Sequence, residues 1–219
     1  MSSVLMSLLS FSILVPTICS ILKLKIAEKN YQPFFVLIFV ALLVEITSTI
    51  LYFQKIGNAA VINFFVLFEF ICWLKLFINL RLSNPSHYTS LLIKLGIVGG
   101  VLWIADNFIK GDITAFNVWF KLYYSFILVF LALDHINVLI VYEKKSLLKN
   151  ASFIFCVGIL IFFCYKIFLE IVWQFGYSFS KELLVNVFTI QSFVNAFVNL
   201  IYAIAVIWIP TKMYFIRPL

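Results

Sequence analysis

Apolar residues run through this chain in seven long stretches separated by short polar breaks, over residues 4–22, 33–53, 61–79, 90–109, 118–142, 151–173 and 183–209. A run of roughly 17 to 25 apolar residues is what an α-helix needs to cross the hydrocarbon core of a bilayer. The pattern therefore predicts an all-α integral membrane protein: one transmembrane domain over 1–219, a seven-transmembrane-helix bundle, with no residues left for a soluble domain.

The breaks also carry an orientation. Lys23, Lys25, Lys29, Arg81, Lys144, Lys145, Lys149, Lys212 and Arg217 fall on one side, against Lys55, Lys110 and Lys181 on the other. Basic residues in short loops stay in the cytoplasm, which predicts the N-terminus outside and the C-terminus cytoplasmic. The first run has no basic residue before it and Lys23 and Lys25 after it, the reverse of a secretory signal peptide. It reads as a retained first helix, with Pro16 as a kink.

Composition agrees: 64% of residues are hydrophobic and 11% charged, too apolar for a soluble domain with an internal core. The net charge of +7 is accounted for by the cytoplasmic loops, where it meets anionic headgroups, and does not call for nucleic acid. Cys19, Cys72, Cys156 and Cys164 lie inside apolar runs without paired spacing and read as small hydrophobes, not a metal or disulfide framework. Asn150-Ala-Ser152 matches a glycosylation sequon but falls on the predicted cytoplasmic side. The expected location is the cytoplasmic (inner) membrane of a bacterium.

An odd helix count invites a three-plus-one-plus-three arrangement. Glu45-Ile46 followed by Tyr52 has a counterpart in Glu170-Ile171 followed by Tyr177, and Asn63-Phe64-Phe65 aligns with Asn186-Val187-Phe188. Such repeats would be parallel, with the fourth helix as linker; chance matching in a chain with 26 Phe is the alternative. In architecture this is similar to the PQ-loop and SWEET-type sugar carriers, which share the seven-helix, amino-terminus-out plan. The Pro-Gln pair of those families is missing: residues 32 and 33 read Gln-Pro, and the fifth run has no proline.

Candidate chemistry lies where charge is most costly. Glu45, Glu69, Asp106, Asp134 and Glu170 sit inside apolar runs. A carboxylate at the bilayer centre costs about 2.5 to 3.5 kcal/mol or more, so it faces the bundle interior and serves a partner, a proton or a ligand. Glu45, Glu69 and Gln191 each lie eight residues from the predicted outer end of their run, and Lys166 seven, which puts all four about 10 to 12 Å below the outer surface. Four helices thus offer polar groups at one depth, which suits a cavity opening outward; a static network locking the helices is the alternative. Lys166 has Glu170 at i+4 as an expected partner.

The seventh run carries Gln191, Asn195, Asn199 and Tyr202 on one helical face, either a pathway lining or interhelical glue. Asp134 and His135 near the inner end of the fifth run are candidates for an inner gate or relay, although adjacent residues point about 100° apart. Asp106-Asn107 reads as a cap or vestibule rim. Gly96, Gly99 and Gly100 read as a close-packing surface, and Trp103, Trp119, Trp173 and Trp208 as an interfacial belt.

Several classes are excluded. Retinal proteins need a lysine in the seventh helix, and the run 183–209 has none. No Walker, haem-attachment, His-Glu-x-x-His or Gly-x-Ser-x-Gly motif occurs, so no cofactor, metal or catalytic residue is expected. The reading is a membrane protein that binds a small polar or cationic solute, a small molecule or ion, through Glu45, Glu69, Lys166, Glu170, Gln191 and Asn195. Its expected role is a small, proton-coupled transporter, with Asn199, Tyr202, Asp134 and His135 as pathway or gate. One alternative is a seven-helix sensor or receptor subunit signalling through a membrane or cytoplasmic protein partner. Another is an intramembrane hydrolase using Glu45, Glu69 and Asp134.

Overall fold

The computed structural model describes residues 9–81, 85–142, 146–175 and 180–211. They are helical, with no strand among the described residues beyond a single bridge between Ala27 and Thr211. The helices are α1 (Leu14–Lys23), α2 (Gln32–Phe53), α3 (Ala59–Leu80), α4 (Pro85–Ile104), α5 (Trp119–Tyr142), α6 (Ala151–Phe175) and α7 (Lys181–Ile207). Six are long and apolar enough to cross a membrane; the helix over Phe11–Lys23 is apolar but shorter. The chain is thus a polytopic helical membrane protein whose outer surface contacts lipid. Residues 4–8 of the predicted first segment lie outside the described residues, as do Lys144, Lys145, Tyr177, Lys212 and Arg217.

Local chemistry explains the element ends. Pro16 cannot donate to the carbonyl one turn earlier, and the residues just before α1, Phe11–Ile13, are wound as a tighter 3-10 turn. Pro33 sits in the first turn of α2, where its missing N–H costs nothing. Asn150 caps α6, its Oδ1 accepting from the Phe153 amide at 3.2 Å, so the sequon asparagine has a structural task. Ser180 does the same for α7 through the Leu183 amide. The connection between α2 and α3 turns at Lys55, which has a φ of 57°.

Neighbouring contacts close a ring in the order α1, α2, α3, α5, α6, α7 and back to α1, with α4 packed outside against α3 and α5. Gly99 makes that outer seam possible: a Cβ there would come within 2.5 Å of the Phe70 ring. Gly96 faces Leu74 on the same seam, whereas Gly100 meets nothing, so the close-packing pair is Gly96 and Gly99, three residues apart, and not Gly96 and Gly100.

The upper end of the bundle carries residues 54–58 and 105–118 and the start of α7; the lower end carries residues 24–31, Arg81, 146–150 and 208–211. At the lower end the carbonyls of Ile209 and Pro210 accept from Lys23 Nζ and the Glu28 amide, tying the end of α7 to the α1–α2 connection. At the upper end α4 continues into a π-turn, Ala105–Ile109, which folds Asp106 and Asn107 inward. Asp106 is buried and caps α5, accepting from the Phe120 amide at 3.0 Å, so it is a cap and not a vestibule rim. Trp103 also departs from the belt expectation. It is buried and donates to the Asn63 carbonyl at 2.8 Å, while Asn63 Nδ2 holds the Ile113 and Ala115 carbonyls of the upper loop. Trp119, Trp173 and Trp208 are exposed. The aligned Asn63 and Asn186 occupy unlike environments, one buried and one exposed.

Candidate functional site

The ring encloses a cavity of about 500 Å³ that runs down from the upper end. Glu45 and Ser48 line it from α2, Asn58 and Glu69 from the α3 side, Lys166 from α6, and Gln191, Asn195, Asn199 and Tyr202 from α7. Glu45 lies eight residues from the upper end of α2 and Glu69 ten from that of α3, about 12 and 15 Å along their helices. The residues expected to share one depth therefore do face one space, together with the whole polar stripe of α7.

The charges inside are not paired as sequence spacing predicts. Lys166 lies 3.8 Å from Glu69, across the bundle on α3, and forms no ion pair with Glu170. The reason is directional. Helical side chains lean toward the N-terminus of their own helix, and a lysine preceding a glutamate by four residues is the weaker order for pairing. Lys166 leans down to Tyr124, to which it hydrogen bonds, while Tyr124 donates to Glu69 Oε2 at 3.0 Å. Glu69, Tyr124 and Lys166 thus form a closed triad, with the ammonium also 4.8 Å from the Tyr124 ring centroid. Glu170 is not in this cavity. It lines a neighbouring one of about 340 Å³ with Lys121, Phe116, Trp173 and Phe188, and Lys166 and Gln191 border both.

Glu45 differs from Glu69: it forms no ion pair among the described residues, and the Ser10 side chain is its polar neighbour. Two other residues of the lining carry a buried polar atom without a hydrogen-bond partner among the described residues, Gln191 at Oε1 and Trp73 at Nε1.

The cavity ends on a layer of aromatic rings from four helices: Phe34 (α2), Trp73 (α3), Phe155 (α6) and Tyr202 (α7). Phe34 packs against Phe155 at 4.3 Å between centroids, against Tyr202 at 5.6 Å and against Trp73 at 5.9 Å, and Trp73 meets Tyr202 at 5.7 Å. Gly158 lets the layer close, because a Cβ there would sit 2.5 Å from Tyr202 Cε1.

Beneath the layer is a second polar cavity, about 660 Å³, at the lower end, bordered by Tyr31, Arg81, His135, Lys149 and Ser152 among others. Tyr31 Oη and Ser152 Oγ share a hydrogen bond at 2.9 Å just under the rings. His135 is buried, edge-on to Phe77, with neither ring nitrogen hydrogen bonded among the described residues. Asp134 borders neither cavity: half exposed, it pairs with Arg81 at 2.6 Å, and the Arg81 guanidinium covers the Tyr88 ring. The expected Asp134–His135 unit is therefore split, as their angular separation on a helix requires.

Comparison with known families, curated proteins and solved structures gave no match. The functional reading therefore rests on the geometry of the cavities. Spacing and composition passed over Trp73, Phe34, Phe155, Gly158, Tyr124 and Lys121. The available signal was weak: Lys121 stands only three residues into its apolar run, and the aromatic residues are a few among 26 Phe, 10 Tyr and 5 Trp.

Proposed function

We propose that this protein is a carrier that takes a small polar or cationic solute into the upper cavity and passes it to the lower one when the aromatic layer parts. The observation that supports this reading is the pair of cavities at opposite ends of one ring of helices, divided by a packed layer that includes Phe34, Trp73, Phe155 and Tyr202. The α7 stripe leads from Gln191 down to Tyr202 in that layer, as a solute path would require. Broken hydrogen bonds on opening would be few, because the partition is held by ring packing. The upper cavity is assigned to the outer side, since Lys23, Lys29, Arg81 and Lys149 gather at the lower end. An upper cavity closed at its floor equally suits a sensor whose layer stays shut. The hydrolase reading loses its third carboxylate, since Asp134 lies at the other end.

Flux decides between carrier and sensor. Purified protein in liposomes under an imposed pH gradient is compared with Glu45→Gln and Glu69→Gln. Proton exchange by the wild type, lost in either variant, supports a coupled carrier. No flux in any of the three, with both variants folded, moves the reading to the sensor.

A further inference from the structure

We infer that the upper cavity selects an organic cation, a protonated amine whose far end carries a hydrogen-bond acceptor. This rests on the solute site proposed above and names the chemistry it recognises. The lining carboxylates are Glu45 and Glu69 and the lining ammonium is Lys166. Lys166 and Tyr124 satisfy Glu69, which leaves Glu45 as a carboxylate without a cation among the described residues. Phe65 adds an aromatic ring to the walls, and aromatic rings attract cations, amines included; Phe162 already lies under the Lys166 ammonium. An amine N–H can also be accepted by Gln191 Oε1, which is buried and unpartnered.

The floor asks for the opposite chemistry. Trp73 is 1% exposed, and its indole N–H has no acceptor among the described residues. A buried donor left unpaired is costly, and a ligand acceptor would remove that cost. Trp73 is one turn below Glu69 on α3, about 6 Å. The fitting ligand therefore has its ammonium at Glu45 and a hydroxyl or carbonyl oxygen further down, toward the Trp73 level.

The test is calorimetric titration of the full-length protein in detergent with three probes of similar length: 4-amino-1-butanol, butylamine and 1,4-butanediol. The amino alcohol should bind tightest, butylamine about three- to tenfold weaker for the lost neutral hydrogen bond, and the diol at least about tenfold weaker for the lost charge. In Glu45→Gln the preference for the amino alcohol over the diol should collapse; in Trp73→Phe the amino alcohol and butylamine should become equal. Ratios between probes cancel any general loss of packing, and the wild-type series stands alone if a variant fails to fold. Equal binding of the diol, an unchanged preference in Glu45→Gln, or no binding of any probe overturns the inference. Amine preference without flux removes the carrier reading and leaves this one; proton flux without amine preference does the reverse.

Discussion

The two ion pairs among the described residues differ in a way that distance alone would misjudge. Arg81–Asp134 at the lower end is the shorter, 2.6 Å, but the Asp134 side chain is 48% exposed. Lys166–Glu69 is 3.8 Å apart, yet both side chains are nearly enclosed, at 13% and 11%, and Tyr124 ties them together. An exposed pair is screened and costs little to lose, whereas removing one partner of an enclosed pair leaves a charge that nothing compensates. Energetic weight therefore follows enclosure.

The largest effect expected from that contrast is at Lys166. Lys166→Met should destabilise the protein by about 3 to 5 kcal/mol, read by thermal or denaturant unfolding in detergent, and the double variant Lys166→Met/Glu69→Leu should recover most of the loss. A double variant as unstable as the single would show that packing, not charge, holds the triad. Tyr124→Phe comes next, at about 1 to 3 kcal/mol, since it withdraws the hydroxyl that bridges both charges. Gly158→Ala should cost a similar amount, roughly 1 to 3 kcal/mol, by pressing on Tyr202; a neutral result would mean the aromatic layer already yields. Asn150→Ala, which removes the α6 cap, should cost about 1 kcal/mol. Asp134→Asn should be the smallest, about 0.2 to 1 kcal/mol, and should shrink further in high salt.

Much of the bundle was legible in the sequence because membrane helices announce themselves by length and apolarity. Six of the seven predicted runs correspond to helices long enough to span, with ends shifted by a few residues, the largest shift being at α4, which starts at Pro85 instead of residue 90. The gathering of Glu45, Glu69, Lys166 and Gln191 was legible as depth, since position along a helix follows from residue count. Which partner each charge takes was not: Lys166 and Glu170 share a face, but the lean of the side chain decides. Asp106 looked peripheral by count, and only the π-turn carries it inward. The aromatic layer was the least visible. Phe34, Trp73, Phe155 and Tyr202 come from four helices, and nothing in an apolar run tells one ring that will meet three others from one that will face lipid.

The absence of charge from that layer has an electrical consequence. With water filling both cavities, the membrane potential would fall mainly across the packed layer between them, which includes the four rings. A unit charge crossing that layer would then traverse most of the field, worth up to about 2.3 kcal/mol per 100 mV. If the protein is the carrier proposed above, voltage would act on a cationic solute at the level of Phe34, Trp73, Phe155 and Tyr202, and the step past these uncharged rings would be the one most sensitive to membrane potential.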